Sequence, residues 1–121
     1  MILENNLYKV TDRQEDETTA NIKIVMLSES EIYKAHFPNN PITPGACTVQ
    51  IVHEQVCKWI GKQLDVRRIV NLKFLEVIIP EQCGELTLSL KIKTQSEDMF
   101  HIISDIHDAD TCYCKMSIEF A

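Results

Sequence analysis

The chain has 121 residues, 45% of them apolar and 25% charged, with a formal net charge of −6. This is enough for one domain with one core, in a composition ordinary for a water-facing protein, and the acidic balance argues against a general nucleic-acid surface. No apolar run approaches the roughly 20 residues needed to cross a bilayer as a helix, so no membrane association is expected.

The first residues, Met1 to Asn6, carry neither the basic region nor the apolar centre of a secretory leader, which predicts a cytoplasmic protein. In that compartment the five cysteines (47, 57, 83, 112 and 114), odd in number and without framework spacing, read as reduced and mostly buried small hydrophobes. Cys112 and Cys114 would share a strand face near His101 or His107. Structural zinc sites have tighter paired spacings, so no metal is expected there.

In chain order, Leu7 to Asp12 reads as a short strand and Asp12 to Glu17 as the turn after it. From Thr18 to Leu27, Ile22, Ile24 and Met26 alternate with Asn21, Lys23 and Val25, the pattern of a strand with one buried face. Ser28 to Ala35 fits a single helical turn. Residues 36–45 then hold three of the four prolines and one of the three glycines, a loop stiffened before it folds. A helix is predicted from Pro44 to Leu64, with Thr43 as N-cap, Pro44 in the first position and a stripe through Val49, Val52, Val56, Trp59 or Ile60, and Gln63 or Leu64. Everything beyond reads as strand. Val66 to Leu75 leads into Val77-Ile78-Ile79 and a break from Pro80 to Gly84. Leu86, Leu88, Leu90 and Ile92 alternate strictly with polar residues, and a hairpin around Asp108-Ala109-Asp110 joins Phe100–Ile106 to Thr111–Phe120.

A sheet of five to six strands with one apolar face must be covered, and only the helix is long enough to do it. The expected fold is therefore α+β, one domain over residues 1–121, with an antiparallel sheet wrapped around a long central helix. The helix cannot cover the whole sheet, so apolar surface near Val77 to Ile79 is expected to meet a partner subunit.

The segment His36-Phe37-Pro38-x-x-Pro41-Ile42-x-Pro44-Gly45 resembles the active-site signature of the β-hydroxyacyl-acyl-carrier-protein dehydratases, of FabZ and FabA type, which have the hotdog fold. Lys73-Phe74-Leu75 followed by Pro80 is similar to that family's third-strand motif, and the order of elements agrees over nearly the whole chain. The resemblance implies a cofactor-free lyase removing water from a β-hydroxyacyl thioester, on an acyl-carrier protein or coenzyme A, in fatty-acid or related lipid or polyketide synthesis. It also implies a homodimer or a higher homo-oligomer such as a hexamer, with each site completed by two chains.

The residues suit that chemistry. His36 is placed to take the proton next to the carbonyl, since imidazole titrates near neutral pH. The Gly45 N–H, at the positive end of the helix, can stabilise the enolate oxygen, with Phe37 and Pro44 beside the substrate. One position departs from the pattern. Fourteen residues after the histidine, where the family has a carboxylate, this chain has Gln50, which can hydrogen-bond a hydroxyl but cannot protonate it. Glu54, one turn on, is the carboxylate available to stand in and is taken as substrate-facing. Two other readings follow from Gln50 and Glu54: a non-catalytic subunit that binds acyl chains or pairs with an active paralogue, and a thioesterase relying on Glu54. Arg67, Arg68 and Lys73 form a candidate docking patch for an acidic carrier protein, opposed by Glu76 beside them.

Overall fold

In the computed structural model, which describes residues 2–35, 39 and 41–121, the strands are β1 (Tyr8–Glu15), β2 (Thr19–Met26), β3 (Val66–Phe74), β4 (Leu86–Gln95), β5 (Phe100–His107) and β6 (Cys112–Phe120). A short helix α1 (Glu31–Ala35) and the long helix α2 (Gly45–Ile60) lie between β2 and β3. The strands form one sheet in the order β1-β2-β4-β5-β6-β3, with every neighbouring pair antiparallel. Period-two alternation turns Ile22, Ile24, Leu86, Leu88, Ile102, Ile106, Met116 and Ile118 inward, where they share one core with Ile51, Val52 and Val56 of α2. This is the α+β hotdog arrangement expected from the sequence.

Several boundaries differ from expectation, each for a local reason. β1 runs to Glu15, past the predicted stop at Asp12, because pairing with β2 extends to Glu15 opposite Ala20 and absorbs a register shift between Val10 and Asp12. α2 begins at Gly45, with Pro44 as N-cap (φ −59°, ψ 142°) and no side-chain cap. The expected cap, Thr43, instead shares a 2.7 Å hydrogen bond with the Tyr33 hydroxyl. The helix ends at Ile60, four residues before Leu64, because Gly61 takes a left-handed φ of 78° and its N–H bonds the Cys57 carbonyl. Its buried face is Thr48, Ile51, Val52, Gln55 and Val56. The predicted stripe therefore named Val52 and Val56 correctly and passed over Ile51 and Gln55; of its last pair, Gln63 is exposed and Leu64, past the end of the helix, is buried.

The edge of the sheet at β3 is open and apolar. β3 pairs only with β6, and Ile69, Val70, Phe74, Leu75 and Val77 along and just beyond it are 41–55% exposed. Ile78, expected to face a partner, is instead buried within the chain. Among the described residues no helix is long and apolar enough to cross a membrane.

Candidate active site

The N-terminus of α2 opens onto an apolar cavity of about 420 Å3, walled by Ile42, Pro44, Gly45, Phe74, Val77 and Cys114, among others. Helix geometry leaves the N–H groups of the first turn without intrahelical partners. That of Cys47 closes a tight turn on the Pro44 carbonyl at 2.9 Å. Gly45 is in close contact with Phe74. A Cβ at this position would lie 2.6 Å from the tip of the Phe74 ring, so the exposed ring would have to swing off the start of the helix to admit a side chain there. Two backbone bonds hold the cavity's outer wall. Glu76 N–H donates to the Tyr113 carbonyl at 3.2 Å, and Thr43 N–H donates to the Ile78 carbonyl at 2.9 Å.

Most polar groups lining the cavity already have partners. Thr43 is bonded to Tyr33, Thr48 donates to the Gly45 carbonyl at 2.6 Å, and the Tyr113 hydroxyl donates to Asp108 at 2.6 Å. The bond to Asp108, helped by burial, pushes the Tyr113 phenol up to about 12. Burial pushes the Cys114 thiol up to about 11.

Gln50 and Glu54 lie elsewhere. Gln50 sits about 140° around the helix axis from Gly45. It lines a separate cavity of about 390 Å3 with Glu54, His53, Lys58 and Glu4. Gln50 Nε2 donates to Glu54 Oε2 at 3.0 Å, the four-residue spacing that places both side chains on one face. The Glu54 carboxylate also accepts from Leu3 N–H (2.6 Å), Glu4 N–H (3.0 Å) and the Tyr8 hydroxyl (2.8 Å). It therefore caps the turn that brings Leu3 and Leu7 into the core, and the substrate-facing position expected for it is filled by the chain's own amides. Beneath it, fully buried Gln55 accepts from Arg13 (2.5 Å) and donates to Glu4 and Tyr8 (both 2.8 Å). Burial, then the Glu54 charge and bond, drive the Tyr8 hydroxyl far above its ordinary value, against the opposing pull of Gln55. For Glu4, burial pulls upward, but the bonds from Lys58 and Gln55 together outweigh it and hold the carboxyl below its usual range. Sequence reasoning missed this network. Its one legible signal was the four-residue spacing of Gln50 and Glu54.

Of the predicted site residues, the structure places Pro44 and Gly45 on one cavity and Gln50 and Glu54 on the other. His36 and Phe37 lie outside the described residues. His53 is bonded to the Leu64 carbonyl at 2.5 Å and packs on Phe120. No group of three metal-ligating side chains occurs among the described residues: His101 pairs with Ser117 and His107 with Asp105. The basic patch is partly neutralised and partly repulsive, since Arg68 bridges Glu119 at 3.8 Å while Lys73 stands opposite Lys115.

A six-stranded antiparallel sheet around one helix, with the helix N-terminus open on an apolar cavity, defines a protein of the hotdog class. Within that class the chain belongs to the ApeI-like family, described as ApeI dehydratase, whose model matches residues 12–116. Among solved structures it resembles the dehydratase heterocomplex ApeI:P from Xenorhabdus doucetiae, with 17% identity and a TM-score of 0.75 over 93% of this chain and 96% of that one. It also resembles a mutant thioesterase from Pseudomonas aeruginosa (10% identity, TM-score 0.67, 94% and 79% covered). A thioesterase from Haemophilus influenzae is similar too (11% identity, TM-score 0.64, 96% and 78% covered). At these identities the likeness is one of fold. No curated protein matches the chain.

Proposed function

We propose that the protein is a β-hydroxyacyl-thioester dehydratase acting on an acyl group carried by an acyl-carrier protein or coenzyme A, with no cofactor. The observation that carries this reading is the Gly45 end of α2, open on an apolar cavity in a chain of the ApeI-like dehydratase family. His36 removes the proton from C2, and the enolate charge develops on the thioester oxygen against the Gly45 N–H at the positive helix end. Pro44 walls the reacting carbons, Phe37 is assigned to substrate binding from its place in the sequence motif, and the acyl chain lies in the apolar cavity. Because Gln50 and Gly45 point to different sides of one helix, the Gln50 that orients the leaving hydroxyl comes from a second chain. The exposed apolar edge at β3 is the surface on which that chain docks.

The replacement of a carboxylate by Gln50 supports a second reading, in which the second chain is a related but different hotdog subunit whose own carboxylate completes one site. The ApeI:P heterocomplex is an assembly of two named components, which lends this reading weight. Hydrolysis by Glu54 is disfavoured, because four donors already occupy that carboxylate.

The test is hydration of a crotonyl thioester, the reverse reaction, by the purified chain and by His36→Ala. Turnover that falls about 10²–10⁴-fold in the variant supports the dehydratase. A silent chain that gains activity when co-purified with a second hotdog subunit supports the paired reading.

A further inference from the structure

Resting on the dehydratase reading, we infer that Glu76 is the proton donor to the departing hydroxyl. Elimination needs an acid at C3 as well as a base at C2, and Gln50 cannot act as one. Glu54 cannot serve either. Its two oxygens are already engaged, accepting from two backbone amides, a buried tyrosine and Gln50. Asp108 is equally engaged, accepting from Tyr113 and from the Asp110 and Thr111 amides.

Glu76 differs from all three. It lines the same cavity as Gly45, and it also lines the adjoining cavity of about 290 Å3 formed with Val77, Cys83 and Tyr113. Its backbone is pinned to the Tyr113 carbonyl, which fixes the root of the side chain at the junction of the two. Among the described residues no hydrogen bond or ion pair engages its carboxylate, whereas Thr43, Thr48 and Tyr113 around it are all bonded. Glu76 is thus the one carboxylate residue among those lining this cavity, at its solvent-exposed rim, and the other lining residues are largely apolar. A thioester whose carbonyl oxygen rests on the first turn of α2 has its C3 hydroxyl a few bonds further along, within the same enclosure.

The step balances without a co-reactant. The base takes the C2 proton, the C2–H electron pair becomes the C2=C3 double bond, and the C3–O bond breaks. The oxygen leaves with its own hydrogen and the Glu76 proton as water. The enzyme returns to its starting state when the proton on the base passes through solvent to the Glu76 carboxylate. In the hydration direction the same carboxylate takes a proton from the attacking water.

The experiment measures crotonyl-coenzyme A hydration by wild type, Glu76→Gln and Glu76→Asp. The expected result is a loss of about 10² or more in kcat for Glu76→Gln, with KM changed less than threefold and partial recovery in Glu76→Asp. Glu76 is exposed, so neither variant should shift the urea midpoint appreciably. An active wild type with Glu76→Gln within threefold of it overturns the inference and leaves the dehydratase reading standing. A wild type that does not hydrate the thioester overturns both.

Discussion

The two cavities flanking α2 are similar in size, about 420 and 390 Å3, and opposite in construction. At the Gln50 cavity nearly every polar group is bonded to another: Arg13, Gln55, Glu4, Lys58, Tyr8, Glu54 and Gln50 form one connected network. At the Gly45 cavity the walls are largely apolar, a phenyl ring lies on the helix start, and the Glu76 carboxylate has no hydrogen bond or ion pair among the described residues. Buried polar networks contribute stability and a unique geometry only when complete. A site for chemistry needs the converse, groups held in place but unsatisfied until substrate arrives. The first cavity is therefore built as part of the fold, and the second is the one we propose as the place of reaction.

The sharpest way to break that contrast is at Glu54. Glu54→Ala leaves Leu3 N–H, Glu4 N–H and the buried Tyr8 hydroxyl without their acceptor, and should lower stability by about 2–4 kcal/mol in urea unfolding. A change under about 0.5 kcal/mol would mean that water replaces the carboxylate and that the network is not structural.

Next is Gly45→Ala, whose methyl group meets the tip of the exposed Phe74 ring at 2.6 Å and should cost about 1 kcal/mol as the ring is displaced. Adding Phe74→Leu should recover most of that loss, a non-additivity measurable in a double-mutant cycle. Equal losses with and without Phe74 would place the constraint in the backbone.

Gln50→Glu comes third. It sets a second carboxylate about 3 Å from Glu54 and should destabilise by about 1 kcal/mol at neutral pH. The loss should shrink on acidification, as one member of the pair takes up a proton. A pH-independent loss would point to packing instead.

The smallest effect is expected at Glu4. Its folded-state value lies below the ordinary 4.5, so its contribution is complete above that value and is lost as pH falls through the folded value. Unfolding of wild type and Glu4→Gln should differ at pH 6, and the difference should shrink as the pH is taken below the ordinary carboxylate value of 4.5. Constant separation would show that the carboxyl charge does not matter.

Much of this molecule was legible before any coordinates. The alternation in β2, β4, β5 and β6 located the sheet and its inward face, because a period of two admits only one burial pattern for each strand. The proline-rich approach to Gly45 marked where the helix starts to within one residue. Less of the site was readable. Gln55 was overlooked because a glutamine on an apolar face is recognisable as core only when Arg13, Glu4 and Tyr8, 42 to 51 residues away in sequence, are seen to converge on it.

By itself, then, the amino-acid order determined the class of fold, the position of the long helix and the chemistry on offer at Gly45 and Gln50. These depend on periodicity and on side-chain type, which are local properties. Only the tertiary structure decided that Glu54 serves the N-terminal turn, that Gly45 and Gln50 face different cavities, and that Glu76 shares the cavity with Gly45. Each of these depends on which distant segments meet, and hydrogen bonding and steric contact between distant segments leave no periodic trace in the chain.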